Sequence, residues 1–129
     1  MNVDSLFTVR PESHREFAVF RSIGYNRRDV AFRGSEAECY RWKKGVMKVV
    51  LRLSDYLFKD EARGTYGIGA SFKGKNGEKP YHTELDFDTD KDDFILLIVS
   101  DALEAGFDPV SEEFVIEYVE LRYPLAEEG

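Results

Sequence analysis

The sequence predicts an α+β fold: an antiparallel sheet built from two β-hairpins, with two or three helices packed on one face. Three observations predict it. Residues 81–88, Tyr-His-Thr-Glu-Leu-Asp-Phe-Asp, alternate apolar and polar, the period of a half-buried strand. Apolar residues between Cys39 and Leu57 recur at three- and four-residue steps, the period of an amphipathic helix. The 129 residues are 43% hydrophobic and 33% charged, apolar enough for one core and too apolar for disorder. The chain is therefore read as a single domain over 1–129, with residues 125–129 as a loose acidic tail.

The elements follow in order. Arg10-Pro11-Glu12 closes the first segment, and Pro11 confines any strand there to a short piece or an edge. Residues 15–22 are rich in β formers, 24–29 carry turn chemistry, and Val30–Arg33 resumes extended character; together they predict a first hairpin. Gly34-Ser35 stops it. Ser35 with Glu38 spells a capping box, which opens a helix over about 36–58. Its apolar stripe is Cys39, Trp42, Val46, Val49, Val50, Leu53, Tyr56 and Leu57, with Arg41, Lys44, Lys48, Arg52 and Asp55 opposite. Gly45 inside it costs roughly 1 kcal/mol against alanine, and a break there is the alternative. Residues 65–73 read as a strand weakened by Gly67 and Gly69. Asn76-Gly77 is the preferred pair of a type I′ turn. The return strand over 81–88 puts Tyr81, Thr83, Leu85 and Phe87 on one face and His82, Glu84, Asp86 and Asp88 on the other. Thr89 with Asp92 caps a helix over 94–105, and Gly106 follows as its C′ residue. Asp108-Pro109 offers one more helix start. Val110, Phe114, Tyr118 and Leu121 keep helical spacing, although Phe114–Val119 is β-rich; the caps favour helix over 110–123, with strand as the alternative.

Composition bounds the function. No apolar run approaches the ~20 residues of a membrane-spanning helix. The N-terminus lacks the basic-then-apolar pattern of a secretory leader. Cys39 is the one cysteine, which forbids an internal disulfide and a cysteine-rich zinc site. The expectation is a cytoplasmic protein. Charge is uneven: residues 1–64 hold 13 Lys and Arg against 9 Asp and Glu, a net of +4, and residues 65–129 hold 5 against 16, a net of −11. An overall charge of −7 repels phosphate at long range and favours a basic partner.

The candidate sites reduce quickly. Gly69–Asn76 approaches the phosphate-loop pattern, but Asn76 stands where a hydroxyl is needed and a turn stands where a helix is needed. Asp86, Asp88, Asp90, Asp92 and Asp93 begin like a calcium loop, but Lys91 and Leu97 fall at its glycine and glutamate positions. No cofactor and no metal ion is assigned, and whether the aspartate run holds a metal in a looser site stays open. His82 and Glu84 share a strand face, as a general base and its orienter would, yet no nucleophile accompanies them. His14 and His82 read as surface histidines. The protein is expected to be a binding module rather than an enzyme. It would be an inhibitor or immunity-type protein that neutralises a basic partner through Glu84, Asp86, Asp88, Asp90, Asp92 and Asp93, with Tyr81 as an aromatic anchor. The alternative is a nucleotide or nucleic-acid binder that uses Arg27, Arg28, Lys44 and Lys48 of the basic half. Oligomeric state stays open, since an edge strand of either hairpin could pair a dimer.

Overall fold

In the computed structural model, residues 7–22, 28–57, 63–88 and 90–124 are described. They form six strands and two helices: β1 (Phe7–Pro11), β2 (Phe17–Ser22), β3 (Arg28–Gly34), α1 (Glu36–Leu57), β4 (Gly64–Gly74), β5 (Gly77–Phe87), α2 (Lys91–Glu104) and β6 (Glu112–Pro124). The mixed α+β content matches the expectation. The single sheet does not. There are two three-stranded antiparallel sheets, ordered β1-β2-β3 and β5-β4-β6. Each predicted hairpin recruits its third strand from a segment adjacent to itself or beyond α2, so no strand of one hairpin pairs with the other. The chain divides into two compact units, Met1–Met47 and Lys48–Gly129, and α1 runs from the first into the second.

In the first unit, β1 is the edge strand that Pro11 requires, and Pro11 is its last residue. One face of the sheet carries Phe7, Val19 and Phe32, which stand on one side because they pair across the ladder or alternate along it. Trp42 of α1 lies against that face, edge-on to Phe7 at 5.4 Å and stacked with Phe32 at 6.0 Å between ring centroids. Arg33 forks onto both carboxylate oxygens of Glu12, at 3.0 and 3.1 Å, and fastens β3 to the β1–β2 turn. The predicted turn at 24–29 lies largely outside the described residues, as does the tail over 125–129.

Helix α1 starts where the capping box places it. The Ser35 backbone N–H donates to Glu38 Oε1 at 3.1 Å, and the Glu38 N–H donates to Ser35 Oγ at 3.2 Å. Cys39, Trp42, Val46, Val49, Val50 and Leu53 are buried as the spacing predicts, whereas Tyr56 is exposed. Gly45 causes no break. Burial pushes the Cys39 thiol above its ordinary pKa, so it is an inert core residue.

In the second unit β4 is the centre. Its partner β5 begins at Gly77, with Gly74 opposite Gly77. Lys75 and Asn76 therefore make the two-residue connection, one position earlier than predicted, and Gly77 takes the positive φ of 122°. Ile68, Ala70 and Phe72 of β4 face the core with Tyr81 and Phe87 of β5 and Phe114 of β6. Helix α2 packs on this core face, Phe94 meeting Phe87 edge-on at 4.8 Å. Thr89 lies outside the described residues; the N-cap is Asp90, whose carboxylate accepts from the Asp92 N–H at 2.8 Å, so α2 begins three residues before the predicted start. Gly106 is the C′ residue, with φ 98°.

Residues 110–123 are a strand, not the helix the caps favoured. The cap chemistry is real but closes a single turn. The Asp108 carboxylate accepts from the Val110 N–H and the Ser111 hydroxyl, Glu112 Oε1 accepts from the Asp108 N–H, and the Glu112 N–H reaches the Asp108 carbonyl at 2.9 Å. The β-rich run from Phe114 then joins the ladder with β4 and ends the turn. Burial opposes ionisation of Asp108, but its hydrogen bonds to Val110 and Ser111 hold the carboxyl below its ordinary range. Beside this turn, Arg52 of α1 donates to the Phe114 carbonyl at 2.7 Å and pairs with Glu113 at 2.9 Å, which covers part of the β6 edge.

Two outcomes follow from these contacts. Arg52→Ala leaves the Phe114 carbonyl without its donor, and a loss of about 1 kcal/mol is expected in urea unfolding, with Arg52→Lys recovering only part of it. Glu38 is held below its usual pKa by the Ser35 backbone N–H and then by the Ser35 side chain. Its contribution is present above the unfolded carboxylate range and lost as pH falls through the depressed folded value. Glu38→Ala should therefore lower the melting temperature at about pH 7 and make little difference at about pH 3, near or below the carboxylate range.

Candidate functional site

The face of the β5-β4-β6 sheet opposite the core is where the chemistry gathers. Ladder register arranges it in cross-strand rows. His82, Gly69 and Tyr118 form one row; Glu84, Gly67 and Glu120 the next; Asp86, Thr65 and Tyr123 the third. The middle column belongs to β4 and is small, so the flanking side chains lean inward over it. A Cβ at Gly69 would come within 2.1 Å of the Tyr118 ring, and one at Gly67 would meet Arg122 Nε at 2.5 Å. Glycine at these two positions is what allows an aromatic ring and a guanidinium to approach the β4 backbone this closely.

Two register shifts in β6 deliver the charged groups. Gly69 pairs with Tyr118 and Ala70 with Ile116, which leaves Glu117 as an extra residue. Thr65 pairs with Tyr123 and Tyr66 with Leu121, which leaves Arg122 as another. Such bulges re-aim side chains. Arg122 turns over Gly67 and forms ion pairs with Glu84 and with Glu120, the latter at 3.0 Å. Glu117 accepts from the Ser71 hydroxyl, which satisfies the buried serine. Thr65 donates to Asp86 at 2.5 Å.

The predicted site residues separate on this frame. Glu84 and Asp86 stand exposed on the outer face, and Asp88 is exposed just beyond the end of β5. Arg63 Nη1 donates to the Asp88 backbone carbonyl at 3.0 Å. Asp90 caps α2, and Asp92 and Asp93 lie in its first turn. The aspartate run is thus spread over a strand end, a cap and a helix, and among the described residues no three His, Cys, Asp or Glu side chains converge as metal ligands. Tyr81 does not serve as a surface anchor. It is 7% exposed, and its hydroxyl donates to Asp101 within the core; burial first, then Asp101, pushes its pKa up. His82 and Glu84 do not pair with each other as base and orienter, since both face Arg122, His82 Nε2 at 3.4 Å. His14 is exposed in the β1–β2 turn.

Of the alternative phosphate-binding set, Arg27 and the Arg28 side chain lie outside what is described, and Lys44 and Lys48 are exposed on α1. The near-phosphate-loop Gly69–Asn76 is strand and hairpin tip, with no helix after it. That tip and the turn at Asp108–Glu112 border an open cleft of about 810 Å³. Of the charged residues that line it, Glu78 pairs with Lys73 at 3.6 Å and Lys79 with Glu112 at 3.7 Å, and Lys75 and Asp108 line it as well. No helix among the described residues is long and apolar enough to cross a membrane.

Sequence reasoning missed Tyr118, Glu120, Arg122 and Tyr123. The available signal was the Gly-x-Gly of β4 beside a β-rich partner, which marks a sheet face with room for large neighbours. Tyr118 and Tyr123 are 40% and 68% exposed, and they supply the aromatic surface that Tyr81 does not. Gly69→Ala should displace the Tyr118 ring and cost about 1 kcal/mol in thermal unfolding. Gly67→Ala should cost less, because the flexible Arg122 guanidinium can swing away. Comparison of the chain with family models, with curated proteins and with solved structures gave no match.

Proposed function

We propose that the chain is a small protein-binding module that captures a basic protein partner on the outer face of the β5-β4-β6 sheet, in the manner of an inhibitor or immunity-type protein. The observation that supports this reading is an exposed sheet face on which Glu84, Asp86 and Glu120 stand around two exposed tyrosines. Carboxylates at the margin steer and select a cationic partner, and flat aromatic groups supply contact area at low entropic cost. Asp88, Asp90, Asp92 and Asp93 extend the negative potential past the end of β5 without forming the contact surface. The reading is of a binder, not a catalyst.

Immobilised protein is expected to retain a stoichiometric basic protein from lysate of its source cell at low salt. Retention should fall as salt rises, because exposed charges are screened over about 8 Å at physiological ionic strength. The triple variant Glu84→Gln, Asp86→Gln, Glu120→Gln should bind the same protein about tenfold more weakly or worse. A partner held equally by both forms, or none retained by the wild type, overturns the reading.

A further inference from the structure

Helix α1 carries a second apolar stripe on the side away from its buried one. Tyr40, Met47 and Leu51 are 53%, 37% and 60% exposed. Steps of seven and four residues keep them within about 40° of arc and spread them over about 16 Å of helix. Lys44 and Lys48 border the stripe, both exposed, and among the described residues neither has an ion-pair partner. An apolar line edged by lysines is poorly matched to a phosphate backbone, which would leave Met47 and Leu51 without apolar cover. It fits a surface that offers apolar groups and carboxylates together.

The chain itself has such a surface. Tyr118 and Tyr123 stand opposite Gly69 and Thr65, four residues apart on β4 and so about 13 Å apart, close to the length of the helix stripe. Asp86 and Glu120 stand beside them. We infer that the protein self-associates, the lysine-edged stripe of α1 in one copy docking on the acidic, tyrosine-bearing sheet face in a second copy. The inference rests on reading that face as a seat for basic groups. It adds that a second chain occupies the face until a stronger partner displaces it.

Charge exchange tests it. In sedimentation velocity at low salt, the wild type should show an average mass that rises above one chain between about 10 µM and about 1 mM, a range that reads millimolar-to-micromolar affinity. Lys44→Glu with Lys48→Glu should remain monomeric, and so should Asp86→Lys with Glu120→Lys. An equimolar mixture of the two variants should associate, because each then offers the other opposite charge on both surfaces. Leu51→Ser, on an exposed position, should weaken association about tenfold and guards against misfolding of the sheet variant. A wild type that stays monomeric throughout overturns the inference, as does association that survives all these substitutions, or a mixture that fails to associate when both variants keep the wild-type melting profile. Capture of a basic partner by a monomeric wild type would leave the reading of the face standing while the inference fell.

Discussion

In a strand that alternated strictly from Phe114, Tyr118 would enter the core and Val119 would face water. The extra residue at Glu117 reverses that order, and the one at Arg122 shifts it again. Because side chains alternate with period two, one inserted residue exchanges the faces of everything beyond it. The composition of the outer face is thus decided by backbone geometry in β6, and it is possible only because β4 opposes the bulges with glycine, serine and threonine. Bulky residues at Gly67 and Gly69 would push the ring and the guanidinium away from the β4 backbone.

The electrostatics are more selective than a net charge of −7 implies. Arg122 satisfies Glu84 and Glu120 together, Lys73 lies against Glu78, and Arg52 engages Glu113. Asp86 is held by a threonine hydroxyl and has no ion-pair partner among the described residues. The face is therefore a patterned surface, with Glu84 and Glu120 tied to one guanidinium and Asp86 tied to a hydroxyl. Exposed pairs of this kind contribute little to folding, roughly 0–1 kcal/mol each. They fix where side chains point, and orientation is what a partner encounters.

How much of this was legible in the sequence depended on whether the signal was local. The capping box of α1, the alternation of β5, the edge position forced by Pro11 and the C′ glycine of α2 are each set within a few residues, and each was readable. The wet face of β5 came with its alternation, which is why Glu84 and Asp86 were found. Strand β6 was not readable in the same way. Its bulges interrupt alternation so that Val110, Phe114, Tyr118 and Leu121 fall at steps of four, four and three, which imitates a helix, and Asp108-Pro109 supplies an authentic start signal. The choice is made by pairing with β4, whose residues lie 38 to 60 positions earlier in the chain than their partners. Arg122 sits in the half of the sequence poorest in cations, so a reading by charge alone treated that half as uniformly negative.

The turn at Asp108–Glu112 has a further role in setting this geometry. It spends a helix start on one closed loop of hydrogen bonds and hands the chain to β6 with Glu112 already opposite Gly74. The strand is thereby indexed at its first residue. Connections upstream of Asp108 can lengthen or shorten over evolutionary time with modest entropic consequence. A single-residue insertion or deletion between Phe114 and Tyr118 would invert the remainder of the strand and turn the half-buried Val119 outward. Length variation among descendants of this chain should therefore accumulate before the turn and stop at it.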